Sequence, residues 1–248
     1  MTFNKITSES LKLIFSALIM IILSGGDSRS QIDSAAIAIL DKMSDNITDL
    51  ESCRISIYME YDQYDEKLGL VKHSDISDVY LKAPDKMLVK KKGDGGMKNI
   101  YYNGKDITVY LENTRMYASA PAPPTIMETI DSVHNSLGID FPAADFFYQD
   151  FTDNLIENSD IISYLGLTDV SGKECFHIAG TNDDQTFQFW VSNDANYLPL
   201  KLVIVYTDKQ YKPQFEAVYS EWELNPVLPD SLFEFTAPED AVRIKILK

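Results

Sequence analysis

The sequence predicts a mainly antiparallel β fold with a few helices. Two groups of segments alternate apolar and polar residues with a period of two, as strands with one buried face do. Short turn-like connections, such as Asn103-Gly104, join the segments within each group, and short connections make consecutive strands antiparallel neighbours. Strands do not alternate regularly with helices, which excludes the parallel doubly wound folds.

The first 26 residues have the pattern of a signal peptide. Lys5 and Lys12 precede an apolar run at residues 13–23, which is shorter than the about 20 apolar residues of a membrane-spanning helix. Small residues at positions 24–26 suit cleavage near Gly26, and an uncleaved N-terminal anchor is the alternative. Because the first cysteine is Cys53, no acceptor for a lipid anchor follows the run.

The expected mature protein, residues 27–248, has the size of a single β-rich domain and contains no other stretch that could span a membrane. The full chain has 38 acidic and 22 basic residues and a formal net charge of −16. This charge repels phosphate backbones, so we expect no nucleic-acid partner, and it disfavours anionic membrane surfaces.

A helix is expected first, capped by Asp33 or Ser34 and continuing through Asp49, with apolar residues at helical spacing. In the segment that follows it, Cys53, Ile55, Ile57, Met59 and Tyr61 share one face. The first strand group comprises residues 53–61, 70–81, 87–90, 99–102, 106–110 and 116–119. Asn103-Gly104 indicates a two-residue hairpin turn with both residues at positive φ.

A proline-rich stretch, residues 120–124, is expected to be extended but unpaired, because proline has no amide hydrogen to donate. Thr125 and Glu128 form a capping box for a second helix that ends at Gly138, and a short third helix is expected from Pro142. The second strand group comprises residues 162–170, 174–178, 186–191, 200–206 and 214–222, with a last short strand around residues 233–235.

No residue pattern indicates catalysis, and we expect neither an enzyme nor a bound cofactor or metal. The sequence lacks a nucleophile elbow and the glycine-rich loops that hold nucleotide phosphates. The histidines His73, His134 and His177 are scattered, and a solvated face explains the acidic residues 145–160 as well as a calcium or hydrolytic site does.

Cys53 and Cys175 have two possible states. In an oxidising compartment they could form one disulfide that closes a loop of more than 100 residues. The alternative is two buried free thiols in separate strands, and the sequence does not decide between them.

Aromatic residues and methionines are concentrated between Met116 and Phe151. They could be ordinary core, or they could close one side of a curved sheet over a pocket for an apolar ligand.

Several motifs resemble a bacterial family of predicted periplasmic proteins, of unassigned function, in the superfamily of the lipoprotein-localisation factors LolA and LolB. The resemblance covers about residues 35–246. The matching segments are residues 83–86, 102–110, 116–118, 172–177, 189–191, 198–202 and 233–235.

The resemblance implies an unclosed half-barrel of about eleven antiparallel strands, with helices plugging its concave side, and a periplasmic location. It implies a non-catalytic carrier whose partner is a lipid or another hydrophobic small molecule. A module that binds envelope proteins through its sheet, with a filled core, is the alternative, and an unrecognised hydrolase is a lesser one.

The hypothesis of a ligand pocket names thirteen lining residues, on the assumption that each predicted strand has the right face inward. One wall would come from the first strand group, a lid from the helices and the opposite wall from the second strand group. These residues are Met59, Tyr61, Met87, Val89, Tyr102 and Val109 for the wall, Ile126, Ile130, Phe146 and Phe147 for the lid, and Phe189, Leu202 and Ile204 for the opposite wall.

Overall fold

The computed structural model describes residues 31–137, 141 and 144–245. The expected signal peptide lies outside these residues, as do Gly138 and Pro142, the expected limits of two helices. Within the described ranges, no helix is both long enough and apolar enough to cross a membrane.

One unclosed sheet of thirteen strands makes up most of the described chain, and its antiparallel part confirms the predicted fold class. The strands are β1 (Gln31–Ile32), β2 (Ser52–Asp65), β3 (Gly69–Lys82), β4 (Lys86–Gly93), β5 (Gly96–Tyr102), β6 (Asp106–Leu111), β7 (Met116–Pro121), β8 (Ile161–Val170), β9 (Lys173–Thr181), β10 (Gln185–Ser192), β11 (Pro199–Tyr206), β12 (Gln214–Leu224) and β13 (Val242–Arg243).

The spatial order of the strands is β1-β8-β9-β10-β11-β12-β2-β3-β4-β5-β6-β7-β13. Each strand group is a meander, and the antiparallel pair β12–β2 joins the two groups. The two-residue strands β1 and β13 pair in parallel with β8 and β7 at the two ends of the sheet. The other eleven strands, β2–β12, are antiparallel to their neighbours among themselves.

In the described part of the chain, three α-helices accompany the sheet, together with two short 3₁₀ helices. They are α1 (Ser34–Thr48), α2 (Ile126–Leu137) and α3 (Phe151–Glu157), with 3₁₀ turns at Ala144–Phe147 and Asp230–Phe233. Asp33 caps α1 as predicted, since its carboxylate accepts a hydrogen bond of 2.8 Å from the Ala35 amide. Of the predicted capping box of α2, the bond from the Glu128 amide to the Thr125 hydroxyl is present at 3.3 Å, and the Glu128 carboxylate accepts from the same hydroxyl at 2.9 Å.

Two connected groups of buried side chains form the core. In the first, Leu40, Met43 and Ile47 of α1 pack with side chains of α3, the Ala144–Phe147 turn and strands β8–β12. In the second, Ile126 and Val133 of α2 pack with side chains of β2–β6. The two strand groups therefore each have a helical cover, and the junction between them lies at β12 and β2.

The turn after β5 differs from the predicted two-residue hairpin. The Asn103 side-chain oxygen accepts hydrogen bonds from the amides of Lys105 and Asp106, at 3.1 and 3.0 Å. These bonds close a four-residue loop, because Tyr102 pairs with Ile107. Gly104 has a φ of 87°, whereas Asn103 does not have positive φ. The hydrogen bonds of the Asn103 side chain stabilise the turn instead.

The expected strand at residues 233–235 is wrong. Phe233 ends a 3₁₀ turn and is fully buried, and Glu234 is extended but outside any ladder. Phe235 packs at 5.0 Å from Tyr117 and close to two further tyrosines of β5 and β6. The alternation of Phe233, Glu234 and Phe235 thus reflects aromatic packing and not strand pairing. The last strand lies further along the chain, at Val242–Arg243.

Two further expectations in the middle of the chain are corrected. β7 extends to Pro121, which pairs with Asp106, so the proline-rich stretch begins inside the sheet. Proline is tolerated there because β7 lies near the end of the sheet, where ladder donors are less needed. The helix α3 was not anticipated, since its acidic residues were interpreted as a solvated face.

The structure has Cys53 and Cys175 as buried free thiols. Strands β10, β11 and β12 lie between β9 and β2, which carry the two residues. Four inter-strand spacings separate them by roughly 15–20 Å. A disulfide requires Cα atoms within about 7 Å, so the fold has no disulfide here and favours the alternative of two thiols.

Candidate functional site

A cavity of about 600 Å³ lies between the inward face of the sheet and the helical segment after α2. Strands β2–β5 provide one wall, and β11 and β12 continue it across the junction of the two strand groups. Ile130 of α2, Phe141 and the Ala144–Phe147 turn lie against it from the other side. Its volume falls within the about 300–1,000 Å³ of small-molecule sites.

The strand register arranges the wall of β2–β5 in cross-strand rows whose polarity changes along the strands. One row is entirely apolar and consists of Ile55, Val79, Val89 and Ile100. The next consists of Ile57, Ser77, Lys91 and Lys98, and the row after that of Met59, Asp75, Gly93 and Gly96. Successive rows are about 7 Å apart, because side chains on one face alternate along a strand.

The apolar end of the cavity is deep, and the polar end opens to solvent. Met87, Ile55 and Leu81 line the apolar end and are at most 9 % exposed. Gln63 and Lys209, which line the other end, are exposed. A molecule that entered from this side would place its leading part among aliphatic side chains.

Three charged side chains lie where the wall turns polar. The Lys91 ammonium is 2.5 Å from the Asp75 carboxylate, and the Asp75 side chain is 5 % exposed. Lys98 is the cross-strand neighbour of Lys91. Of the residues that the structure describes, none provides a carboxylate that forms an ion pair with Lys98.

Burial, together with the neighbouring ammonium of Lys91, lowers the pKa of Lys98 below its ordinary value. Burial, followed by the negative charge of Asp75, raises the pKa of Tyr61, so its hydroxyl remains a neutral donor. The polar end therefore offers hydrogen-bond donors and positive charge within an otherwise strongly acidic protein.

Aromatic side chains form the floor beneath the Ala144–Phe147 turn. The Phe146 ring lies 5.3 Å from that of Phe151, 5.7 Å from Phe189 and 5.6 Å from Tyr219, in edge-to-face arrangements. Phe146 is 2 % exposed and lines both this cavity and a smaller one of about 230 Å³. These contacts hold the turn against the sheet.

The structure brings seven of the thirteen predicted pocket residues into the larger cavity. Phe189, Leu202 and Ile204 instead line the smaller cavity, on the other side of Phe146. Tyr102, Val109 and Ile126 belong to the second core group, where the Tyr102 hydroxyl donates to the Pro123 carbonyl at 2.6 Å. The seven are Met59, Tyr61, Met87, Val89, Ile130, Phe146 and Phe147.

Sequence reasoning missed the charged part of the wall. One predicted strand ends at Lys90 and the next begins at Asn99, so the prediction places Lys91 and Lys98 in the turn between them. Period-two alternation from Met87 and Val89 points to Lys91 on the same face, and this signal could have identified it. Asp75 had no such signal, because β3 mixes polar and apolar residues on both faces.

The histidines have ordinary side-chain partners. His73 Nδ1 lies 2.7 Å from the Asp94 carboxylate, and His177 Nε2 lies 3.0 Å from the Gln188 side-chain oxygen. Among the described residues, no three His, Cys, Asp or Glu side chains come together as a metal site.

Residues 36–247 match the model of a family described as "Predicted periplasmic protein (DUF2092)". This match confirms the resemblance that the sequence motifs indicated. None of the curated proteins is significantly similar to the chain.

Three solved structures are among those to which the chain is similar. The lipoprotein LppX of Mycobacterium tuberculosis is 15 % identical, with 79 % of this chain and 98 % of that chain covered and a TM-score of 0.49. An uncharacterised conserved protein of Thermus thermophilus is 13 % identical, with 86 % and 100 % covered and a TM-score of 0.48. A LolA superfamily protein of Nitrosomonas europaea is 12 % identical, with 81 % and 97 % covered and a TM-score of 0.34.

Proposed function

Because the chain belongs to the DUF2092 family of predicted periplasmic proteins, we propose that it is an exported, non-lipidated carrier that binds one lipid or acyl chain. The observation that carries this proposal is the cavity of about 600 Å³, whose deep end consists of aliphatic side chains. The carrier would be one domain, residues 27–248, that acts without catalysis after removal of the signal peptide.

Burial of apolar surface would supply the affinity. Transfer of one methylene from water into such a site contributes about 0.8 kcal/mol. A sixteen-carbon chain would thus gain roughly 10 kcal/mol before the entropic costs of binding, which is enough for micromolar or tighter affinity. The apolar row of β2–β5 and the aromatic side chains of the Ala144–Phe147 turn would contact this chain.

Ser77 and Ile76 allow a matched test of the cavity. Ser77 is 3 % exposed and lines the cavity, whereas the adjacent Ile76 is 49 % exposed on the opposite face of β3. Ser77→Phe fills the cavity and should abolish saturable uptake of a fluorescent fatty acid, while Ile76→Phe should bind like the wild type. Circular dichroism establishes that both variants fold. Unchanged uptake by a folded Ser77→Phe variant would overturn the proposal.

A module for envelope proteins is the second candidate, and the exposed apolar side chains of β8 favour it. Ile161, Leu165 and Leu167 are 40 %, 56 % and 53 % exposed on this strand near one end of the sheet. Exposed apolar side chains at a sheet edge are typical of docking surfaces. If the wild-type protein takes up no fatty-acid or phospholipid probe, this candidate replaces the carrier.

A further inference from the structure

We propose that the cavity selects amphiphiles with an acyl chain and an anionic head group, which Lys98 binds at the polar end of the wall. This inference rests on the proposed carrier function and adds the ligand class. The position of Lys98, one row from the aliphatic side chains of Val89 and Ile100, carries it.

The first argument is the order of polarity along the wall. The apolar row lies deep, the row with Lys91 and Lys98 follows it, and Asp75 lies one row further out. An amphiphile has the same order along its length, because its chain ends in a polar head. With the chain among the aliphatic side chains, the head group lies at the level of the two lysines.

The second argument is charge. Lys91 and Lys98 are direct cross-strand neighbours, and like charges in such positions repel each other. Asp75 compensates Lys91 through its ion pair of 2.5 Å, but one carboxylate cannot neutralise two ammonium groups. A carboxylate or phosphate of the ligand would supply the second negative charge. Burial and the Lys91 ammonium lower the pKa of Lys98, and a ligand anion beside it would raise that pKa again.

The third argument compares the charge at the cavity opening with the charge of the rest of the protein. The protein has a formal net charge of −16, so an anion meets general repulsion at its surface. Lys209 lies at the same opening, with its ammonium 4.0 Å from the centre of the Tyr206 ring. Asp62 also lines this end, but it forms an ion pair of 2.8 Å with Lys72, so the Lys209 ammonium adds positive charge where an anionic head group would approach.

Lys98→Met tests the proposal, because methionine keeps the apolar length of lysine and removes the charge. The control is Lys92→Met, since Lys92 is an exposed lysine next to Lys91 on the opposite face of β4. Calorimetry at neutral pH compares palmitate with the uncharged palmityl alcohol. We expect Lys98→Met to weaken palmitate binding about tenfold, as loss of a charge-assisted hydrogen bond does. Palmityl alcohol should bind both variants as it binds the wild type.

A palmitoyl lysophosphatidic acid distinguishes the two sources of the head group. Tighter binding of this probe than of palmitate assigns a phosphate, and the reverse assigns a carboxylate. If Lys98→Met binds palmitate as tightly as the wild type, the inference on the head group is wrong while the carrier function stands. If the wild-type protein binds neither palmitate nor palmityl alcohol, the carrier function itself fails, and the inference fails with it.

Discussion

The Lys91 ammonium lies 2.5 Å from the Asp75 carboxylate, across the ladder of β3 and β4 and within the wall of the cavity. The Asp75 side chain is 5 % exposed and that of Lys91 is 33 % exposed. The pair therefore introduces a nearly buried charge next to aliphatic residues. It marks the level at which the wall of the cavity changes from apolar to polar.

Removal of Lys91 should destabilise the fold, because the buried charge of Asp75 would lose its ammonium partner. We expect Lys91→Met to cost about 2 kcal/mol, less than the about 3–5 kcal/mol of fully buried pairs, since part of Lys91 is solvated. The double variant Asp75→Asn/Lys91→Met should recover about 1 kcal/mol of this loss. Urea denaturation of the wild type, the single variants Lys91→Met and Asp75→Asn, and the double variant measures the coupling. Additive losses would show that the two groups do not interact.

Gly93 should not tolerate a side chain. A Cβ atom at this position would collide with the Asp75 carboxylate and approach the Ser74 carbonyl, whereas at Gly95 it would meet no atom within 4 Å. Gly93→Ala should therefore cost about 1–3 kcal/mol, as overpacking does. Gly95→Ala should remain near the wild-type stability. Equal stability of the two variants in urea denaturation would contradict the placement of Asp75.

Both cysteines should react as free thiols only after unfolding. Burial raises the pKa of the Cys53 thiol to about 12, and it also raises the pKa of Cys175. Native protein at pH 8 should label slowly, and unfolded, unreduced protein should label at two thiols. No labelling after unfolding would show a disulfide.

The raised pKa of Cys53 also predicts a loss of stability in alkali. The unfolded chain releases the thiol proton near pH 9, whereas the folded protein retains it until about pH 12. The free energy of unfolding should therefore fall as the pH rises through this window. Cys53→Ala should show a smaller decrease between pH 9 and pH 11 in urea denaturation. An identical decrease in both proteins would exclude this contribution.

Export predicts a shortened N-terminus. The short apolar run at residues 13–23 and the small residues after it should direct cleavage, so mature protein should begin between about residues 25 and 31. Edman sequencing of periplasmic material provides the measurement. A protein that still begins at Met1 and sediments with membranes would show an uncleaved anchor.

The sequence predicted the apolar part of the wall well. Period-two alternation placed Met59 and Tyr61 inward on β2, and the same alternation placed Met87 and Val89 on β4. A buried face imposes this pattern on a strand, so it is visible without the fold. The capping residues of α1 and α2 were visible for a similar reason, because the hydrogen bonds involved are local.

The sequence could not show how the two strand groups meet. Phe189, Leu202 and Ile204 face inward, but Phe146 lies between their cavity and the larger one. This division depends on where the Ala144–Phe147 turn packs, which is a long-range contact. The prediction assigned Tyr102 to the pocket because its side chain lies on the inward face of the strand. Its hydroxyl, however, donates a hydrogen bond to the Pro123 carbonyl, and its ring packs in the core under α2.

Native mass spectrometry of the protein, purified gently from the periplasm and then titrated with palmitate, tests the carrier function most directly. The predicted result is a single adduct with the mass of one amphiphile, or stoichiometric uptake of one palmitate by ligand-free protein. The cavity-filling variant Ser77→Phe should give the ligand-free mass alone under the same conditions. Ligand-free wild-type protein that takes up no palmitate would contradict the carrier function.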